Sequence, residues 1–460
     1  MQTNERKPIR RVTVKNMLIA TAVAAALSYL PAGAHAATSP DDLAQIREQL
    51  QGLMQRVDKL EQENTELKTE NEDLKAQGDY LKAETRGLRK DSSIAATEIA
   101  KVKGSDWAGR VTVKGDLRYR HEEIKDDTAS AAGVLAAADR YRDRIRARIG
   151  VEAKATDTIL LGFGMTTTES SDPRSGNQSL TGTFSKKAFD LDYAYFDWKF
   201  ANWGNLIGGK MKQPFYKPGQ SLFWDNDITP EGLAINFNSG IWFGTAYGYW
   251  INEVSGAANT LTADTMLFGG QAGVRLPLGA STLVLAGTYY DLAAGKGRAP
   301  FYNASSNGNT TTVLTVGGTP VLLNDYRVAE LSAEFNANLG TWPLQLWADY
   351  AQNQAVDDLD TAWGAGVLFG KAGNYKTWEF GVAYESLEKD ALFGQLVDSD
   401  FAAGNTDVKG MVLRAAYAPV KNWILNATYF MNERNVDVAN SAGKTGVDYD
   451  RLQLDFNVKF

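Results

Sequence analysis

The chain is 460 residues long, 44% hydrophobic and 22% charged, with 43 Gly, 12 Pro, no Cys and a formal net charge of −7. The lack of Cys excludes a disulfide scaffold, thiol catalysis and Cys-held zinc or iron, and two histidines, His35 and His121, leave little for a histidine metal site. Outside one N-terminal stretch no segment approaches the ~18 apolar residues of a spanning helix, and mean hydropathy is −0.31; this excludes a helical transporter but not a membrane β-barrel, whose strands alternate.

Arg6, Lys7, Arg10, Arg11 and Lys15 precede the apolar run Met17 to Leu30, and Ala34-His35-Ala36 supplies a small-x-small cleavage pattern. Residues 1–36 therefore read as a signal peptide, and the chain as exported. Its removal leaves 43 bases against 54 acids, a charge near −11, which argues against a nucleic-acid partner.

Residues 37–104 read as a periplasmic coiled-coil segment and linker. Ile46, Leu53, Leu60, Leu67, Leu74, Leu81 and Leu88 take heptad position d, and Leu43, Leu50, Val57, Asn64, Asn71, Gly78 and Thr85 take position a. In a parallel arrangement, the g-to-e pairs Asp42 with Arg47, Arg56 with Glu61, Glu63 with Lys68, Glu70 with Lys75 and Glu84 with Arg89 are all opposite in sign. The expectation is a homo-oligomer through a parallel coiled coil. Asn at position a favours two strands, while the fold expected for the remainder favours three.

Residues 105–460 read as an all-β transmembrane barrel of about 16 antiparallel strands. The last segment is the clearest: Leu452, Leu454, Phe456, Val458 and Phe460 alternate with Arg451, Gln453, Asp455, Asn457 and Lys459. The same criterion places a first strand near 107–121, a second near 139–154, a fourth near 188–200 and a fifth near 204–212. Short turns alternate with long polar loops such as 169–187, 213–230, 293–325 and 387–407, the arrangement of an outer-membrane barrel. In 188–200 the apolar phase shifts from Phe189, Leu191, Tyr193 and Tyr195 to Phe196, Trp198 and Phe200, which predicts either a bulge or an inner aromatic cluster.

A barrel with an aqueous lumen selects by the charges facing the pore and by whatever narrows it. Arg140, Arg142, Arg144, Arg146 and Arg148 occupy alternate positions of the second strand; Arg118 and Arg120 join them from the first, and Lys210 and Lys212 from the fifth. They predict a pore-lining basic wall, or else a wall neutralised by Asp116, Glu152, Asp190 and Asp192. The third long loop carries Asp225 and Asp227, with Glu231 just after it. If it folds inward, these acids face the basic wall across a constriction; otherwise it is an acidic external loop. His121, near Glu122 and Glu123, is the sole histidine of the processed chain and a poor basis for an enzyme, so no catalytic residue, metal ligand or cofactor is expected.

Three stretches carry a family likeness: Arg144 to Gly150 (Arg-Ile-Arg-Ala-Arg-Ile-Gly), Gly209 to Phe215 (Gly-Lys-Met-Lys-Gln-Pro-Phe) and Trp224 to Ala234. Together they resemble the putative-porin family of proteobacterial outer membranes, which is related to the general trimeric porins. The resemblance implies a porin in outer-membrane lipid, a water-filled channel for passive diffusion of small hydrophilic solutes or ions, trimeric, with the third loop at the pore. Phe460 looks like the terminal aromatic assembly signal read by the barrel-assembly machinery. The basic wall adds an anion preference, and the coiled coil adds an alternative, a structural link from barrel to cell envelope.

Overall fold

The computed structural model describes residues 40–104, 108–127, 139–255, 263–302, 305–314 and 318–460. The expected signal peptide, 1–36, lies outside the described residues. The chain divides into two compact units, Met1–Ala100 and Lys101–Phe460.

The first contains one helix, α1 (Pro40–Gly104), of 65 residues. Pro40 sets the first turn with its fixed φ, and Leu, Glu, Lys, Gln and Ala, all strong helix formers, dominate the remaining turns. Leu53, Leu60, Leu67, Leu74 and Leu81 are exposed along it. The side chains at heptad positions 43, 46, 50 and 88 lie outside the described ones. No described helix is long and apolar enough to cross a membrane.

The second unit is a closed antiparallel barrel. Its wall strands are β1 (Val111–Asp126), β2 (Arg140–Lys154), β3 (Ile159–Thr168), β5 (Ala188–Ala201), β6 (Gly204–Lys210), β7 (Glu231–Ser239), β8 (Trp242–Asn252), β9 (Thr265–Leu278), β10 (Ser281–Ala293), β13 (Tyr326–Leu339), β14 (Trp342–Asn353), β15 (Thr361–Gly370), β16 (Thr377–Leu387), β17 (Val408–Val420), β18 (Trp423–Arg434) and β19 (Val447–Lys459). Each pairs with its neighbours in the chain, and β1 pairs with both β2 and β19, so the sixteen-stranded sheet has no free edge. Three short strands belong to loops: β4 (Gln178–Ser179), which pairs with β2, and the hairpin β11 (Thr311–Val313) and β12 (Pro320–Leu322).

Turns of a few residues close one end; in Ser239-Gly240, Gly240 takes the left-handed φ of 60° that suits it. At the other end lie longer loops, of which L2 (169–187), L3 (211–230), L6 (354–360), L7 (388–407) and L8 (435–446) are described throughout. Strict alternation puts Leu452, Leu454, Phe456 and Val458 outside and Arg451, Gln453, Asp455 and Asn457 inside. Exposed Trp203, Trp242, Trp342, Trp378 and Trp423 ring the short-turn end, and Tyr141, Trp250, Tyr289, Tyr350 and Trp363 the loop end, as interfacial rings do.

The phase change in 188–200 has a physical cause. The β3–β5 register slips between Gly164 and Met165, leaving Asp192 as the extra residue of a bulge. Leu191, Phe196 and Trp198 thereby all point outward, while Tyr193 and Tyr195 pack on the inner face over Gly164 and Gly162, ring centroids 5.8 Å apart. Both expected explanations are present. The first strand starts and ends a few residues later than expected, and β6 stops at Lys210, so Lys212 belongs to L3.

Candidate functional site

Period-two geometry points Asp116, Arg118, Arg120 and Glu122 of β1 and Arg142, Arg144, Arg146 and Arg148 of β2 into the barrel. The register sets Asp116 beside Arg148, Arg118 beside Arg146, Arg120 beside Arg144 and Glu122 beside Arg142. Two of these pairs are like-charged, and directly opposed like charges are unfavourable unless counter-charges reach them. Those counter-charges come from far along the chain. Arg120 donates to Asp455 (2.6 and 2.8 Å) and Asp400 (2.8 Å), and Arg451 to Glu122 (2.7 Å) and Asp400 (3.0 Å). Arg142 bonds Glu122, and Arg144 reaches Glu169 at 3.3 Å. Arg146 and Arg148 share Asp116 (3.1 and 2.7 Å) and Asp227 (3.3 Å each). Arg118 donates to Asn177 Oδ1 at 2.7 Å and makes no ion pair among the described residues.

Two loops fold into the lumen. L3 leaves β6 early and crosses to the far wall, where Gly219 N–H donates to Glu334 (2.6 Å), Ser221 Oγ to Asp349 (2.7 Å) and Leu222 N–H to Glu385 (3.1 Å). Gly219 holds φ +48°, and a Cβ there would overlap the Trp347 indole, so only glycine fits this approach. Leu222, Phe223 and Trp224 are buried with Tyr247, Tyr249, Tyr290 and Leu292 of the wall. L7 lies beside L3: Asp225 N–H donates to Leu396 O (2.8 Å), Asp398 N–H to Leu222 O (3.0 Å), and Ser399 N–H to Asp225 Oδ2 (2.8 Å). Leu392, Phe393, Leu396, Val397 and Phe401 carry L7 into the same apolar cluster. Arg174 of L2 donates to Gly394 O, Val397 O and Gly404 O at 3.0–3.3 Å, which ties L2 to L7.

Burial alone would raise the Asp227 carboxyl, but the guanidiniums of Arg146, Arg118 and Arg148 outweigh it and hold it below the usual carboxylate range. Asp400 is held well below that range in the same way, burial being overcome by Arg451 and Arg120. Asp225 moves the opposite way: burial, then Asp398 and Asp227, push it well above.

The expected site residues thus divide. Arg118, Arg120, Arg144 and Arg146 face inward but are at most 9% exposed beneath L2, L3 and L7; Arg148 and Lys210, with side chains 33% and 24% exposed, reach water. Arg140, at the start of β2, is exposed, and Arg142 sits against Glu122. Lys212 lies over the Tyr193 ring and 3.9 Å from Glu152, which also takes Lys114 at 2.8 Å. Of the three acids expected to face the basic wall, Asp227 touches its arginines and Glu231 pairs with its lysine Lys210, a register neighbour, at 3.0 Å, whereas Asp225 bonds L7, because its backbone is the strand-like partner of Leu396. Among the expected neutralising acids, Asp116 and Glu152 take cations; Asp190 and Asp192 do not. Phe460 exchanges backbone hydrogen bonds with Gly115 at 3.0 and 3.2 Å. His121 sits on the outer face, Nδ1 2.9 Å from Asp143 Oδ1, away from the lumen.

The acidic wall of β13, β14 and β16, with Glu330, Glu334, Asp349 and Glu385, goes beyond the expectation, as does the inward fold of the 387–407 loop, L7. Isolated acids on the polar face of a strand leave no local pattern. Leu392-Phe393 and Leu396-Val397 in a supposedly external loop were the available signal, since such residues need cover.

A closed sixteen-stranded barrel with an apolar belt, aromatic rings and inward loops defines an outer-membrane β-barrel of the channel-forming class. Residues 124–316 and 319–460 match the family described as "Putative porin", and the chain belongs to that family. Pseudomonas putida OprB shares the fold at 13% identity, over 80% of this chain and 97% of its own, with a TM-score of 0.50. Salmonella typhi OmpF (13% identity, 76% and 97% covered, TM-score 0.44) and the Rh. blastica porin (9%, 76% and 100%, 0.43) also align. No curated protein matches the sequence.

Proposed function

We propose that this outer-membrane channel passes small hydrophilic solutes and ions by passive diffusion, with a preference for anions. The carrying observation is the arginine ladder: Arg118, Arg120, Arg142, Arg144, Arg146 and Arg148 stand together on the inner face of β1 and β2, and Arg118 makes no ion pair among the described residues, while the acids of the β13–β16 wall are buried under L3. Arg148, Lys210, Lys212 and Lys114 reach water beside Asp190, Asp192 and Glu231, so the ladder and not the exposed groups carries the preference. The reversal potential of the reconstituted protein under a KCl gradient tests this: an anion-selective sign, weakened by Arg144→Ala, Arg146→Ala and Arg148→Ala together, supports it, and cation selectivity overturns it.

The exposed leucines of α1 support self-association through a parallel coiled coil in the periplasm, with three copies matching a trimeric porin. They equally favour a second role, a rod of roughly 70 Å over residues 43–88 that links the barrel to the envelope. Deleting 43–88 would then loosen envelope layers while conductance persists. Cleavage after Ala36 and recognition of Phe460 by the barrel-assembly machinery complete the reading.

A further inference from the structure

Between L2 and L3, against the inner face of β2, β3, β5 and β6, lies a cavity of about 170 Å³ with an unusual charge pattern. Arg148 and Lys210 are on its wall, as are Asp190 and Asp192; Asp227 and Asp172 also line it but are already paired with arginines, and hydroxyls, including Thr166 and Thr168, make up most of the rest. The two cations are already engaged, Arg148 with Asp116 and Asp227 and Lys210 with Glu231 and the Thr229 carbonyl, yet each keeps a donor to spare. Among the described residues neither the Asp190 nor the Asp192 carboxylate accepts a hydrogen bond or joins an ion pair, and the Thr166 hydroxyl beside them also lacks a partner.

We propose that this cavity is a binding site for small zwitterionic solutes of the α-amino acid class, with Arg148 and Lys210 receiving the carboxylate and Asp190 and Asp192 the ammonium. The register sets Arg148, Thr166 and Asp190 in one row across β2, β3 and β5, so the backbones carrying the two charges stand two strand spacings, about 10 Å, apart. An amino acid, whose ammonium and carboxylate stand a few ångströms apart, would bridge that span once the side chains of both ends reach inward. The volume, at about 30 Å³ per water-sized group, holds roughly six such groups, the size of serine.

Other solutes fit less well. A simple anion meets two unpaired carboxylates, a simple cation meets Arg148 and Lys210, and a sugar finds no aromatic ring in the lining to stack on. A metal ion finds too few ligands: no group of three or more metal-ligating side chains occurs among the described residues. The site deepens the channel reading and rests on it, since the solute arrives by the lumen.

The test uses the reconstituted full-length protein in planar bilayers carrying KCl current, titrated with L-serine, with lactate (no ammonium) and with ethanolamine (no carboxylate). The expected result is a saturating reduction of the KCl steps by serine alone, with the half-blocking concentration raised at least tenfold by Asp190→Asn combined with Asp192→Asn. KCl steps in the variant show that it is folded, and Asp192→Asn alone is read in the same way if the double variant fails to insert. Normal KCl steps without saturation by serine, block by lactate as strong as by serine, or block unchanged in the variants overturn the site and leave the channel standing. Absence of KCl steps in the unaltered protein overturns both.

Discussion

Arg120 and Asp455, 335 residues apart, meet in a two-pronged hydrogen bond, Nε to Oδ1 at 2.6 Å and Nη2 to Oδ2 at 2.8 Å, across the seam where β1 joins β19. Both side chains are at least nine-tenths buried. Removing one partner therefore strands a charge, at a cost of about 3–5 kcal/mol. Asp455→Asn is expected to lower the temperature at which the folded barrel converts to the unfolded form in detergent gels, and the double variant Arg120→Met with Asp455→Leu to recover part of the loss. Equal behaviour of single and double variants would show that Asp400 and Glu122, not Asp455, carry the Arg120 charge.

Gly219 marks where L3 meets the far wall. Valine at this position forces a side chain onto the Trp347 indole and asks a β-branched residue for a positive φ, which together cost about 1–3 kcal/mol of loop docking. Gly219→Val should release the bonds to Glu334, Asp349 and Glu385, raise single-channel conductance and expose the loop to protease, with the barrel still resistant. An unchanged conductance would mean that the L3 tip does not set the width of the passage.

The barrel was legible because its evidence is local: Leu452 to Phe460 need only alternate for the strand and its two faces to follow. The inward direction of Arg144, Arg146 and Arg148 followed for the same reason. What pairs with the ladder followed only in part: Asp227 is among the acids expected across a constriction, but Glu169 on Arg144, and Asp400 and Asp455 on the neighbouring Arg120, arrive from elsewhere in the chain and no spacing relates them to the ladder. Asp225 shows the limit most sharply. Two residues from Asp227 in sequence, it turns to L7 because its backbone pairs with Leu396, a contact that neither loop advertises alone.

The two latch carboxylates on the arginine ladder set an acid limit. Asp227 and Asp400 both have depressed pKa values when docked, so their contribution is present above the ordinary carboxylate range, near 4, and is lost only as pH falls through the still lower docked values. Asp225, raised by burial, works in reverse: its contribution is present below that range and lost as pH rises through its docked value. Acidification from neutrality to pH 5 is therefore expected to leave L3 and L7 docked and conductance unchanged or lower, with opening only below about pH 4. Conductance recorded across this series checks the sign; a rise between pH 7 and pH 5 would assign control to other groups.

α1 presents leucines at Leu60, Leu67 and Leu74 with 56–63% exposure, a stripe that water disfavours by about 1.5–3 kcal/mol for each side chain that a neighbouring copy would bury. Glutamine preserves helix propensity while removing that gain. Changing all three to Gln should abolish cross-linking between helices at matched positions, as a parallel seam requires, while circular dichroism of the full chain and KCl conductance stay near those of the unaltered protein. If the copies still cross-link in parallel register after these changes, the association resides in the barrel, and the exposed stripe must be covered by a different partner.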